Sequence, residues 1–172
     1  MKQRLGLVIV LIGGILLLSP SSAVAQESAD INHSLVLEIG LAGKRDLNEP
    51  SSRFGSTIAV DAMLIEHWLQ LEGGVNVLQA SGHTELGFDL LFKKPYLLSR
   101  TMQFMIGVGP QLVDIFGGNG PGMSYGVEVV FDFMYWPTTN VGWYAGPRYG
   151  STFGARSAQS WGATTGILIG VQ

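Results

Sequence analysis

The chain has 172 residues, no cysteine, 24 glycines, 47% hydrophobic and only 13% charged residues, where an average soluble domain carries about 25% charged residues. Without cysteine there is no disulfide framework, thiolate metal site, cysteine nucleophile or lipid-modified cysteine. A formal charge of −3, with Lys44-Arg45 and Lys93-Lys94 as isolated doublets, leaves no basic patch and argues against nucleic-acid binding.

The first element is an address. Lys2 and Arg4 precede 14 apolar and glycine residues from Leu5 to Leu18, then Ser19-Pro20-Ser21-Ser22 and the small residues Ala23-Val24-Ala25. That is the order of a secretory signal peptide, and 14 residues fall short of the ~20 that a spanning helix needs. The expected organisation is a signal peptide over 1–25 cleaved after Ala25, a short N-terminal segment over 26–33, and one domain over 34–172. Without residues 1–25 the chain keeps 8 basic and 13 acidic side chains, a formal charge of about −5. No later stretch approaches ~18 uninterrupted apolar residues, so a membrane could be crossed only by strands.

From Ser34 onward the dominant period is two, the mark of strands with one apolar face. Leu35, Leu37, Ile39 and Leu41 alternate with Val36, Glu38 and Gly40; Ile58, Val60, Ala62 and Leu64 alternate with Ala59, Asp61 and Met63. Next come Leu69 to Val77, with Gln70, Glu72, Gly74 and Asn76 on the other parity, and Thr84 to Phe92, with Glu85, Gly87, Asp89 and Leu91. Met102 to Pro110 opposes Gln103, Met105, Gly107 and Gly109, and Met123 to Phe131 opposes Ser124, Gly126, Glu128, Val130 and Asp132. Val141 to Tyr149 opposes Gly142, Tyr144, Gly146 and Arg148, and Trp161 to Val171 opposes Gly162, Thr164, Gly166, Leu168 and Gly170. The prediction is eight strands of roughly 7–11 residues, near the ~9–11 that a tilted strand needs to cross hydrocarbon. Pro110 and Pro147 remove ladder donors and mark bulges or strand ends.

The connections alternate in chemistry. Long polar or glycine-rich ones are expected over 43–55, 114–122 and 150–159, with one short link on that side at 79–82; tight ones are expected at 65–67, around Lys93-Lys94-Pro95 and over 135–140. The apolar parity carries no Asp, Glu, Lys or Arg at the strand positions named, whereas the other parity holds glycines and carboxylates. A charge on a lipid face costs about 2–4 kcal/mol at the midplane, so this asymmetry points the apolar side outward. Trp68, Phe92, Tyr96, Tyr135, Trp136 and Trp143 fall near the tight links and Phe54, Phe116, Tyr149, Phe153 and Trp161 near the long ones, which reads as two interfacial girdles. Strands in lipid must close on themselves, and eight do so around a lumen filled by side chains. Short links then lie on the periplasmic side and long ones outside.

The pattern over residues 31–172 resembles the small eight-stranded outer-membrane barrels, the type of the OmpA transmembrane domain and OmpX. Thr164-Thr165-Gly166-Ile167-Leu168-Ile169-Gly170-Val171 is similar to the signal by which the barrel-assembly machinery recognises a last strand; that family usually ends on an aromatic residue, where this chain has Val171 and then Gln172. The resemblance implies an all-β, eight-stranded antiparallel up-and-down transmembrane barrel in the bacterial outer membrane; with the eighth strand at the end of the sequence, no peptidoglycan-binding domain is expected to follow it. Implied partners are outer-membrane lipid and lipopolysaccharide, and the assembly machinery through residues 164–171, for a protein acting as a monomer.

The chemistry gathers on the inward parity, where Glu38, Asp61, Glu72, Glu85, Asp89, Glu128 and Asp132 face Arg148 alone. Seven carboxylates in a narrow lumen cannot all be ionised cheaply, so protons, cations or loop bases such as Arg53 and Arg156 must balance them. The alternatives are a hydrogen-bonded plug and a weak cation-preferring pore. No catalytic, metal or cofactor residue is expected. His33, His67 and His83 are scattered, without metal spacing, and read as solvated interface residues, while residues 114–122 lack the Gly-Lys-Ser/Thr ending of a phosphate cradle. The expected function is structural or surface-interactive, in membrane integrity or adhesion, with at most weak cation conductance. Two rivals are a soluble exported lipocalin-like barrel holding an apolar ligand and a lipid-modifying outer-membrane enzyme.

Overall fold

The computed structural model describes residues 33–47, 51–117, 122–155 and 157–171. The expected signal peptide, its cleavage site, all of the 26–33 segment but His33, and Arg156 lie outside them. Eight strands follow in chain order: β1 Leu35–Asp46, β2 Ser52–Ile65, β3 Leu69–Ala80, β4 His83–Leu97, β5 Met102–Phe116, β6 Gly122–Tyr135, β7 Val141–Gly154 and β8 Ala158–Val171. Each pairs antiparallel with the next, and β1 pairs with β8 from Leu35↔Val171 to Asp46↔Ser160, closing the barrel. Closure leaves no edge strand. No helix among the described residues is long and apolar enough to cross a membrane.

The strands run 12–15 residues, longer than the alternation suggested, because the inward parity stays polar without leaving the ladder. Lys44, Asp46 and Arg53 read as loop chemistry, yet Lys44↔Arg53 is a register pair. The expected long outer connections therefore shrink to 47–51, 117–121 and 155–157, and every connection is two to five residues long. Lys93-Lys94-Pro95 is likewise not a link: all three lie in β4, and the turn is 98–101.

The prolines end no strand. Pro110 and Pro147 face outward within β5 and β7, and the ladder omits two pairs beside each: β4–β5 pairing passes from Asp89↔Gln111 to Phe92↔Val108, and β6–β7 from Val130↔Arg148 to Phe133↔Ala145. The missing N–H opens the ladder on one side only, since Pro110 stays paired with Val127 on β6 and Pro147 with Ala163 on β8. The one register shift lies elsewhere, at Met63/Ile65 on β2.

Outward residues are apolar and exposed: Ile39, Ile58, Phe88, Leu90, Val108, Phe133 and Ile167 belong to a belt that encircles the barrel. Contiguous exposed apolar surface on this scale marks a membrane or partner surface. Its height can be read from the aromatics. Tyr125 and Tyr135 on β6, ten residues apart, pair across the ladder with Phe153 and Trp143 on β7. Ten residues rising about 3.3 Å each, tilted about 40°, climb about 25 Å, the height of the apolar band of a membrane barrel. The charges that the longer strands bring outward, Arg45, Lys94 and Asp114, sit towards strand ends, and the Lys94 ammonium lies 5.0 Å over the ring of Trp68, an interfacial arrangement. Trp136 is the exception among the expected girdle aromatics: it is 1% exposed and belongs to the interior.

Candidate functional site: a stratified lumen

The inward parity builds three strata. The lowest, at the end where β1 begins and β8 finishes, is apolar. Val36, Met105, Met134, Trp136, Tyr144 and Leu168 form one buried cluster. The backbone N–H of Trp136 donates to the Thr101 carbonyl at 2.8 Å, which turns the 136–140 connection inward and sets the indole across the barrel mouth. His33 stacks on it with ring centroids 4.3 Å apart, and its Nε2 donates to the Thr139 carbonyl at 2.5 Å. His33 is thus a buried floor residue and not the solvated histidine expected; of the other two, His67 is exposed in a turn and His83 half-buried at the start of β4. Gly170 makes room for it, since a Cβ there would overlap the imidazole. Gly170→Val is expected to unseat His33 and cost about 1–3 kcal/mol, the range for overpacking, measured as a lowered urea midpoint in detergent.

Above the floor lies the charged layer. All eight residues of the expected polar cluster face the lumen, but Arg148 is not their only base. Lys93 is fully buried among them, its Nζ 2.9 Å from Asp132, 3.6 Å from Asp61 and 3.7 Å from Glu38, and paired also with Glu72. Arg148 reaches Glu128 at 3.2 Å, Glu72 at 3.4 Å and Asp89 at 3.8 Å, and its Nε donates to Thr164 Oγ1 at 3.3 Å. Asn76 Nδ2 donates to Asp89 Oδ2 at 2.7 Å. Glycines opposite make this possible: a Cβ on Gly74 would overlap the Asp89 carboxylate, and one on Gly146 that of Asp132. The signal for Lys93 was present in the sequence, because it continues the Glu85, Gly87, Asp89, Leu91 parity by one step.

The upper stratum is a balanced quartet. Glu85 accepts from Lys44 at 2.7 Å and from Arg53 at 2.9 Å, and Arg53 also pairs with Asp46. Arg53, expected to reach inward from a loop, does so from within β2. Among the described residues the lumen therefore holds eight acids and four bases, with the surplus confined to the middle layer: Glu38, Asp61, Glu72, Asp89, Glu128 and Asp132 against Lys93 and Arg148. Between middle and upper strata is a cavity of about 40 Å³ lined by Lys44, Asn76, Glu85, Asp89, Gln111, Glu128 and Arg148, room for a few waters. A second, of about 20 Å³, lies among Asp46, Arg53 and Glu85. The lumen is polar with small cavities above and apolar below. Within the middle layer Glu38, Asp61 and Glu72 each bring one oxygen within 4.8 Å of the others, so ligand spacing comes from carboxylates and not from the histidines.

The closed eight-strand ring recurs in solved structures. The chain is the small outer-membrane barrel fold. Neisserial surface protein A superposes with a TM-score of 0.63 at 14% identity, over 80% of this chain and 96% of that one. OprG, an outer-membrane protein of Pseudomonas aeruginosa, gives 0.59 at 11% identity over 84% and 99%. Ail, the attachment invasion locus protein of Yersinia pestis, gives 0.56 at 11% over 80% and 99%. No family model and no curated protein sequence matches the chain. The likeness lives in the barrel rather than in residue identities, as expected where alternation and not a motif specifies the fold.

Proposed function

We propose that this chain is an exported, monomeric outer-membrane barrel, its leader removed after Ala25, that serves the membrane as a closed structural cylinder and carries no enzymatic activity. The observation that supports this reading best is the floor: Trp136, stacked by His33 and packed on Tyr144, Met105 and Leu168, fills the lumen at the end where β1 begins and β8 finishes. Residence in the outer membrane is supported by the exposed apolar belt and by the barrel fold shared with outer-membrane proteins. The apolar parity faces outward, the reverse of what a lipocalin-like soluble barrel with an apolar ligand requires. Connections of two to five residues offer little surface for adhesion, so integrity of the bilayer is the favoured role over surface contact. Outer-membrane lipid and lipopolysaccharide are the natural partners of the belt. Residues 164–171, at the free end of β8 where it meets β1, would present the recognition signal to the assembly machinery.

Two measurements test this reading. Cell fractionation is expected to leave the mature protein with membranes until detergent is added, and release by osmotic shock alone would refute membrane residence. In planar bilayers the purified protein is expected to show no steady conductance. A steady cation-selective current that falls on Glu128→Gln would replace the closed cylinder by a narrow pore.

A further inference from the structure

Gly-Pro occurs twice within the strands, as Gly109-Pro110 on β5 and Gly146-Pro147 on β7, and both copies leave the same gap. The β4–β5 ladder lacks the pairs of Leu90 with Pro110 and Leu91 with Gly109; the β6–β7 ladder lacks those of Phe131 with Pro147 and Asp132 with Gly146. Each proline keeps its partner on the other side, so the donor it lacks is the one the Leu90 or Phe131 carbonyl would have met. The glycine before it lets that carbonyl lean in, since a Cβ on Gly109 would overlap the Leu90 oxygen and one on Gly146 the Phe131 oxygen. Between the two gaps β5 and β6 pair without a break from Met102↔Tyr135 to Ile115↔Gly122. The β5–β6 hairpin is therefore a fully laddered panel with an interrupted seam along each side.

Side chains span the same two seams from within. Lys93 on β4 reaches past β5 to Asp132 on β6 at 2.9 Å, and Arg148 on β7 reaches Glu128 on β6 at 3.2 Å. Each base of the middle layer thus ties the panel to one neighbour. The cavity of about 40 Å³ touches both seams: Asp89 and Gln111, the pair that borders the first gap, line it, and so does Arg148, which borders the second. We propose that the β5–β6 hairpin is a yielding panel of the barrel wall, whose two proline-marked seams open locally towards the cavity and admit water to the charged layer, with Lys93–Asp132 and Arg148–Glu128 as the clasps that hold them shut. Opening at a seam gives up fewer backbone bonds than elsewhere, because one is already missing. It also hydrates a layer in which acids outnumber bases. The groups freed on the lumen side meet water and not hydrocarbon. The panel is a property of the wall and is independent of which membrane role the barrel has.

The test is residue-resolved amide hydrogen exchange on the whole protein in detergent micelles. The amides of Leu90 and Phe131 are expected to exchange at least tenfold faster than those of Gln111 and Gly126, which pair within the hairpin. Their rates are expected not to change in urea too dilute to unfold the barrel, as local opening requires. Pro110→Ala returns a donor to the first seam and is expected to slow Leu90 at least tenfold while leaving Phe131 unchanged; Pro147→Ala is expected to do the reverse. Glu128→Gln loosens the Arg148 clasp and is expected to speed Phe131 at least threefold and leave Leu90 alone. Each variant is first confirmed as folded by heat-modified gel mobility. Equal protection of Leu90, Phe131, Gln111 and Gly126 in the unaltered protein overturns the proposal, whatever the variants do. So do rates that climb with urea in step with global unfolding, and so does a Glu128→Gln protein in which both seams quicken alike or neither does.

Discussion

Lys93→Met is expected to be the most damaging single substitution in the lumen. The ammonium is fully buried and stands within 3.7 Å of Glu38, Asp61 and Asp132 while pairing with Glu72. Removing one partner of a buried ionic cluster costs about 3–5 kcal/mol, because the charges left behind have neither water nor counter-ion. Here Glu38, Asp61 and Asp132 lose their base at once, while Glu72 keeps Arg148, which puts the expected loss at the upper end of that range. The measurement is a urea titration of the refolded protein, followed by the gel-mobility shift between folded and heat-unfolded forms. Under the same conditions Glu38→Gln is expected to change stability by less than about 1 kcal/mol, since it removes a charge from the side in excess. A Lys93→Met protein as stable as the parent would mean that the middle layer is electrically neutral without its lysine.

The second large effect lies on the outside. Ile58 pairs with Ile39 on β1 and Val75 on β3, faces outward, and sits midway along β2 between Ser52 and Ile65. Ile58→Arg is expected to cost about 2–4 kcal/mol in a bilayer, as for a cation at the midplane of a barrel. In water the same change on an exposed sheet face falls within about 0.5 kcal/mol. Unfolding measured in lipid vesicles therefore separates the two environments by size, a loss of about 2–4 kcal/mol against a change within about 0.5 kcal/mol. A neutral result in vesicles would mean that this face of the barrel does not meet hydrocarbon.

The fold was legible because a barrel is written in parity, and parity survives without any motif. Glu38, Asp61, Glu72 and Asp132 could be placed inside from alternation alone, and Trp143 and Phe153 at the two rims. What misled was residue chemistry read locally. Lys93-Lys94-Pro95 has the composition of a turn, yet β4 continues through it to Leu97, because a lysine facing buried carboxylates is as well satisfied as one facing water. The same reasoning hid Lys44 and Arg53, and with them the balanced upper quartet. Trp136 was hidden for a different reason. An aromatic beside a turn looks interfacial, and only the inward path of the 136–140 backbone and the position of His33, more than a hundred residues earlier, reveal it as part of the floor. Contacts between the first and last strands are invisible to any window along the chain.

The pairing of β1 with β8 also sets an order in time. Every other neighbouring pair is a hairpin with a connection of two to five residues, which closes at small entropic cost, whereas β1 and β8 must find one another across the whole chain. Until they do, Glu38 on β1 and Lys93 on β4 lie on an open, hydrated sheet and their charges cost nothing. Desolvation of the middle layer, docking of His33 on Trp136 and loss of the last free strand edges are therefore one concerted event. A chain arrested before that step would carry its carboxylates in water and its belt half-covered, an insertion intermediate that the closed form no longer resembles.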